Sequence, residues 1–172
     1  MIILETERLR LRHLSPDIDA EFILELLNGS SFIRYIGDKG VRDLDAARRY
    51  MIDGPVKSYD AHGFGLYLVE LKMNATPIGI CGVLKRETLP DPDIGFAFLP
   101  VYWNQGYAFE SAAAVMQYAR ETLKLGRILA ITSPDNEASG KLLDKIGLRF
   151  DGLVKLTEDA PEVKLFTTDG SE

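Results

Sequence analysis

The run "DIGFAFLPVYWNQGYAFESAAAVMQYARETL" (Asp93–Leu123) decides how the chain is organised. It opens β-rich and stops at Pro100. It ends as a long helix with Ala108, Ala112, Val115, Met116, Ala119 and Leu123 on one stripe, and Trp103, Asn104, Gln105 and Gly106 stand between the two parts. Glu110, Gln117, Arg120, Glu121 and Lys124 fall mainly elsewhere, so the stripe is expected to pack on a sheet. A helix start leaves several N–H groups unpaired and carries roughly half a positive charge. A phosphate can be held there without any lysine or arginine; Gly106 lets the backbone approach closely and Ala108 keeps the next turn clear. A plain strand-to-helix turn is the alternative that the bend alone leaves open.

Two other nucleotide motifs fail on spacing. A P-loop needs Gly-Lys-Ser/Thr four residues after a glycine, and the nearby lysine, Lys124, is at the far end of the helix. A dinucleotide fingerprint needs three glycines, and only Gly106 is present.

Outward from this segment the period changes several times. Leu9, Leu11 and His13 alternate with Arg8, Arg10 and Arg12, which predicts a first strand. "SPDIDAEFILELLN" reads as a helix with a serine cap and Ile18, Phe22, Leu26 and Leu27 at helical spacing, and "RDLDAARRYMID" as another ended by Gly54 and Pro55. "FGLYLVELK", "TPIGICGVLKR" and "DIGFAFLP" form a meander of three strands. After the long helix come the strand "GRILAITS", the helix "NEASGKLLDKIG" closed by Gly147, and the strands "LRFDGLVKL" and "EVKLFTTD". The expected class is α/β (α+β): a mixed, mostly antiparallel sheet of about seven strands flanked by about four helices, in a single domain over residues 1–172.

Composition narrows the function. The 172 residues carry 20 basic and 26 acidic side chains, a net charge of −6, without a basic cluster, so a nucleic-acid footprint is not expected. No apolar run is long enough for a membrane span and the amino terminus turns charged at Glu5, so the chain is read as cytoplasmic. The single cysteine, Cys81, lies in an apolar run and reads as a buried structural thiol. His13 and His62 stand apart without ligand-spaced partners, so no metal is expected.

The order "DIGFAFLPVYWNQGYAFESAAAVMQYA" followed by "SPDNEASGKLLDKIGLRF" resembles the GCN5-related N-acetyltransferase (GNAT) superfamily, in particular its ribosomal-protein alanine and serine N-terminal acetyltransferase branch. The likeness runs from "LETERLRLR" to the last strand and implies the acyl-CoA N-acyltransferase fold, acetyl-CoA as co-substrate and an amine acceptor. Dimers are frequent among such relatives. By resemblance, Phe98, Leu99 and Val101 meet the pantetheine arm through backbone groups, Gln105, Gly106, Tyr107, Ala108 and Phe109 surround the pyrophosphate, and Asn136 contacts the cofactor. Asparagine is also a good N-cap, so both roles stay open for Asn136. Trp103 departs from the superfamily's Gln or Arg at the first bend position, as is usual in this branch.

Acetyl transfer from a thioester to an amine needs a neutral amine, a stabilised oxyanion and a proton for the leaving thiolate. The resemblance places Asp93 where the branch commonly carries a glutamate base, and the shorter aspartate suits a bridging water. The oxyanion donor would be an N–H near Phe98 or Leu99. The usual tyrosine acid is replaced by Leu143, while Ser139 matches a serine with that role in the branch. The loops "NGSSFIRYIGDKGVRD" and "LTEDAPEV" would build the acceptor pocket, where Asp38, Glu158 and Asp159 are candidate ammonium contacts or plain solvated acids. A catalytically inactive acyl-CoA-binding module of the same fold is the competing reading.

Overall fold

A strand not expected above precedes the one read at residues 8–13. In the structure, a computed structural model that describes residues 1–168, β1 (Ile2–Glu5) turns back to pair antiparallel with β2 (Leu9–Arg12). Asp169, assigned above to the last strand, lies outside the described residues. Leu9 and Leu11 are fully buried while Arg10 and Arg12 face the other side, as period two requires. His13, just past the strand, stacks on Tyr59 with ring centroids 3.9 Å apart, and burial pushes its pKa down.

The sheet continues through β3 (Leu66–Leu71), β4 (Pro77–Leu84), β5 (Asp93–Phe98), β6 (Leu129–Thr132), β7 (Arg149–Val154) and β8 (Val163–Thr167). Its order is β1-β2-β3-β4-β5-β6-β8-β7, and every neighbouring pair is antiparallel except β5 and β6. β8 lies between β6 and β7, so the final hairpin folds back before it closes the edge.

Apolar clusters cover both faces. On one, α5 (Tyr107–Glu121) lays Ala112, Val115, Met116 and Ala119, all with no exposed surface, against Leu9, Leu11, Cys81, Val83 and Ile94. α6 (Glu137–Lys145) adds Leu143, and Gly147 in a left-handed conformation ends its C-terminal turn. On the opposite face, α1 (Ala20–Leu27), α2 (Ser30–Tyr35) and α3 (Leu44–Met51) bury Phe22, Ile23, Leu26, Leu27, Phe32, Ala47 and Met51 against Leu68 and Ile80.

Two helix boundaries differ from the sequence expectation. Ser15 does not cap α1, and Ile18 is 72% exposed rather than part of its buried stripe. Asp19 precedes the helix and its carboxylate is committed elsewhere: it accepts from Ser15 N–H at 2.7 Å and takes both Arg12 terminal nitrogens at 2.9 Å. Gly54 and Pro55 do not stop α3 either. The chain runs through a π-turn (Ile52–Val56), closed by the Lys57 N–H on the Ile52 carbonyl, into α4 (Lys57–His62). The wider turn accommodates a proline that has no N–H to give and whose ring would crowd an α-helical ladder. Gly63, with φ of 80°, makes the actual stop.

Arg12 links Asp19 to Glu70 of β3 in a largely buried network, with Asp19 3% and Glu70 7% exposed. Removing one member of such a pair leaves its partner's charge uncompensated, which costs about 3–5 kcal/mol. Asp19→Ala is therefore expected to lower unfolding free energy in urea by about 3 kcal/mol, against under about 1 kcal/mol for the exposed pair variant Asp45→Ala.

Candidate functional site

β5 and β6 register at a single parallel position, Asp93 with Leu129. Beyond it the strands part and leave one edge of β5 open. The Leu99 N–H donates to the Ile78 carbonyl of β4 at 3.0 Å. Antiparallel alternation then turns the N–H groups of Phe96 and Phe98 the other way, into the gap. Of the two oxyanion donors expected above, Phe98 retains a free direction and Leu99 is spent. Phe96 was not singled out from sequence, because the direction of a strand N–H depends on register.

At the end of β5 a short 3₁₀ turn (Pro100–Tyr102) leads into the bend. Trp103 pins it: the indole N–H donates to the Phe98 carbonyl at 2.8 Å, tying bend to strand. Gln105 also works locally, donating through Nε2 to the Val101 carbonyl at 3.1 Å. Asn104 and Gly106 take φ of 61° and 83°, left-handed conformations that swing the chain into α5. Gly106 occupies the N-cap without a side-chain cap, so the first amides of α5, at Tyr107, Ala108 and Phe109, have no intrahelical or capping partner.

The bend is not built from amides alone. Arg8, from the turn between β1 and β2, donates to the Gln105 carbonyl at 3.0 Å, lies over the Tyr107 ring at 4.4 Å and pairs with Glu110 at 2.7 Å. Its guanidinium would be 3.2 Å from a Cβ placed on Gly106. Glu110 in turn accepts from the Thr6 hydroxyl and the Arg8 N–H. A cation thus stands beside the exposed amides, brought from the other end of the chain with no local sequence signal.

The remaining candidates divide between the two ends of the gap. Asn136 caps α6, accepting from the Ser139 N–H at 3.2 Å through its side-chain oxygen, so the cap role holds and its amide N–H₂ is left for another partner. Ser139 is half-buried; Leu143 is 1% exposed, packed in the core with nothing to donate. Asp93 sits where the strands meet, 1% exposed, with both carboxylate oxygens near 3 Å from Arg86 Nε. Burial pushes its pKa up and Arg86 pulls against that. Cys81 has no exposed surface; burial raises its thiol to about 12, which makes it inert.

On the face opposite α5 an open cleft of about 760 Å³ lies between the 39–41 loop, α3, α4 and the ends of β3 and β4. Leu66 and Leu84 form part of its wall, and Leu84 pairs with Asp93 across the sheet. Lys39, Arg49, Lys57 and Lys85 line it, with Asp53 as the lining carboxylate. Asp38 pairs with Arg42 at 2.6 Å, accepts from the Gly40 N–H and keeps about half of its side chain exposed, outside this cleft. Among the described residues no group of three or more His, Cys, Asp or Glu could hold a metal, and no helix is long and apolar enough to cross a membrane.

Comparison with known proteins gives the class. Residues 8–149 match the family model for the acetyltransferase (GNAT) domain, so the chain belongs to the GNAT acetyltransferases. It is 30% identical to YoaA, an uncharacterized N-acetyltransferase of Bacillus subtilis, over 89% of this chain and 86% of that protein. A GNAT-family acetyltransferase structure from Bacillus anthracis matches at a TM-score of 0.79 and 27% identity, with both chains fully covered. RimL, a ribosomal L7/L12 α-N-protein acetyltransferase solved with coenzyme A, shares the fold at a TM-score of 0.81 and 19% identity, covering 99% of this chain and all of that one.

Glu110 generates a prediction independent of turnover. Burial raises its pKa, but the hydrogen bonds from Thr6 and Arg8 outweigh this and leave it below the ordinary value of 4.5. A depressed carboxyl adds stability above its unfolded pKa and loses it as pH falls through the folded one. Parent protein should therefore lose more unfolding free energy than Glu110→Gln between about pH 5 and pH 3, read from urea midpoints across that range.

Proposed function

We propose that this acetyltransferase moves the acetyl group of acetyl-CoA to a primary amine by direct attack within a ternary complex. The carrying observation is the gap between β5 and β6, which opens onto the uncapped start of α5. The amides from Gln105 to Phe109, with Arg8 beside them, fit a pyrophosphate: anion-seeking donors flanked by a cation. The edge of β5 around Phe98 to Val101 suits the pantetheine arm, with Asn136 on the opposite wall. Acetyl-CoA supplies the activated thioester; the protein's part is to hold it and to manage protons and charge.

The Phe98 N–H, directed into the gap, is the donor we assign to the developing oxyanion. Asp93, roughly 16 Å along β5 from Phe98, accepts the amine's proton through a chain of waters, since its burial and its pairing with Arg86 bar direct contact. Burial raises its pKa and so makes it a stronger base than a solvated aspartate, with Arg86 opposing that rise. Ser139 or solvent returns a proton to the thiolate. The reading includes a single domain over residues 1–172 that works in the cytoplasm.

A thiol-release assay with acetyl-CoA and a panel of amines tests this directly. Acceptor-dependent release is expected; tight acetyl-CoA binding with no release for any peptide, polyamine or amino sugar would sink the enzymatic reading and favour the inactive module. Gly106→Val forces a β-branched residue into left-handed backbone beside Arg8, which costs about 1–2 kcal/mol. Acetyl-CoA affinity by calorimetry should fall at least about tenfold while circular dichroism stays native. Asp93→Asn should lower kcat about 100-fold with acetyl-CoA affinity kept, and Ser139→Ala should slow turnover without abolishing it.

A further inference from the structure

The cleft on the α1–α4 face contradicts the charge of the molecule. The chain carries six surplus negative charges, yet Lys39, Arg49, Lys57 and Lys85 converge on this one cavity with Asp53 alone among them. Among the described residues none of these four cations has a carboxylate within ion-pair distance, while eight arginines elsewhere do. Lys85 donates only to the carbonyls of Arg86 and Leu89. Lys39 keeps part of its surface in solvent, but its surroundings and Arg86 push its pKa down, which places it near the Arg86–Asp93 pair.

The cleft also abuts the chemistry. A Cβ placed on Gly95 would lie 2.9 Å from Leu84 and 3.7 Å from Leu66, both cleft residues, so only these two side chains stand between the cleft and β5 at Gly95, two residues from Asp93. Tyr50, another lining residue, feels the charge of Arg86. Its volume lies within the range of small-molecule sites, roughly 300–1,000 Å³.

We propose that this cleft is the acceptor site and that it selects a small primary amine carrying an anionic group, a carboxylate or a phosphate. This rests on the acetyl-transfer reading given above. Unpaired cations in a partly enclosed cavity raise the local concentration of anions and repel polycations, so a polyamine or aminoglycoside is disfavoured. The same field serves the reaction: neighbouring positive charge disfavours the ammonium form of the acceptor and favours the neutral nucleophile. Asp38 and the other loop acids, considered above as ammonium contacts, are not part of this cleft.

The test uses matched pairs in the thiol-release assay: glutamic acid α-amide against glutamine α-amide for the carboxylate arm, glucosamine 6-phosphate against glucosamine for the phosphate arm, and spermidine. At least one anionic member should exceed its neutral partner about tenfold in kcat/KM, and the arm that does so names the anion. In the double variant Arg49→Gln/Lys57→Gln that ratio should fall toward one, with the change in KM. Equal rates within both pairs, or a preference for spermidine, would overturn the assignment and leave acetyl transfer standing. Should no amine release thiol, the transfer reading fails, and calorimetry of the CoA-saturated protein with the same pairs still decides the cleft. Tighter binding of an anionic member, lost in the double variant, supports it; equal affinities overturn it.

Discussion

The sheet of this acetyltransferase is held together at its centre by very little. β5 and β6 meet at Asp93 and Leu129 and then separate, which is an expensive thing for a sheet to do: exposed strand edges leave amides and carbonyls without ladder partners. The separation is stabilised beside the junction. α5 packs on β4 and β5 with residues that have no exposed surface, and Trp103 satisfies the Phe98 carbonyl that the missing strand would have taken. The free N–H direction at Phe96 and Phe98 follows from that parting.

Much of the architecture was legible in the chain because burial enforces period. Leu9 and Leu11 in a half-buried strand, the Ala112-Val115-Met116-Ala119 stripe and the Gly147 stop each express a local rule that packing left intact. β1 escaped because an edge strand with exposed residues such as Ile2 has no buried face to impose alternation. The boundaries at Asp19 and Pro55 were misjudged because a tertiary partner, Arg12, outbid the helix for a carboxylate and because a π-turn can absorb a proline.

The site divided in the same way. The bend from Asn104 to Ala108 announces itself through residue types, since left-handed backbone and small side chains are local demands. Asn136 as a cap is equally local. Arg8 against Gln105, Arg86 against Asp93 and the cations of the cleft are not, for each depends on which strands lie side by side. An overall negative charge concealed the basic cleft, because a sum over the surface carries no information about where the unpaired charges gather.

The π-turn between α3 and α4 has a rotational consequence. One extra residue in a helix advances everything after it by about 100° around the axis. α3 directs Ala47 and Met51 toward α1, whereas α4 presents Tyr59 to His13 and keeps Lys57 and Ala61 on the cleft. Ala46, Arg49 and Tyr50 of α3 line the same cleft, so its wall runs unbroken from α3 through the π-turn into α4. The insertion lets that one wall absorb a proline, while Tyr59 comes round to reach His13.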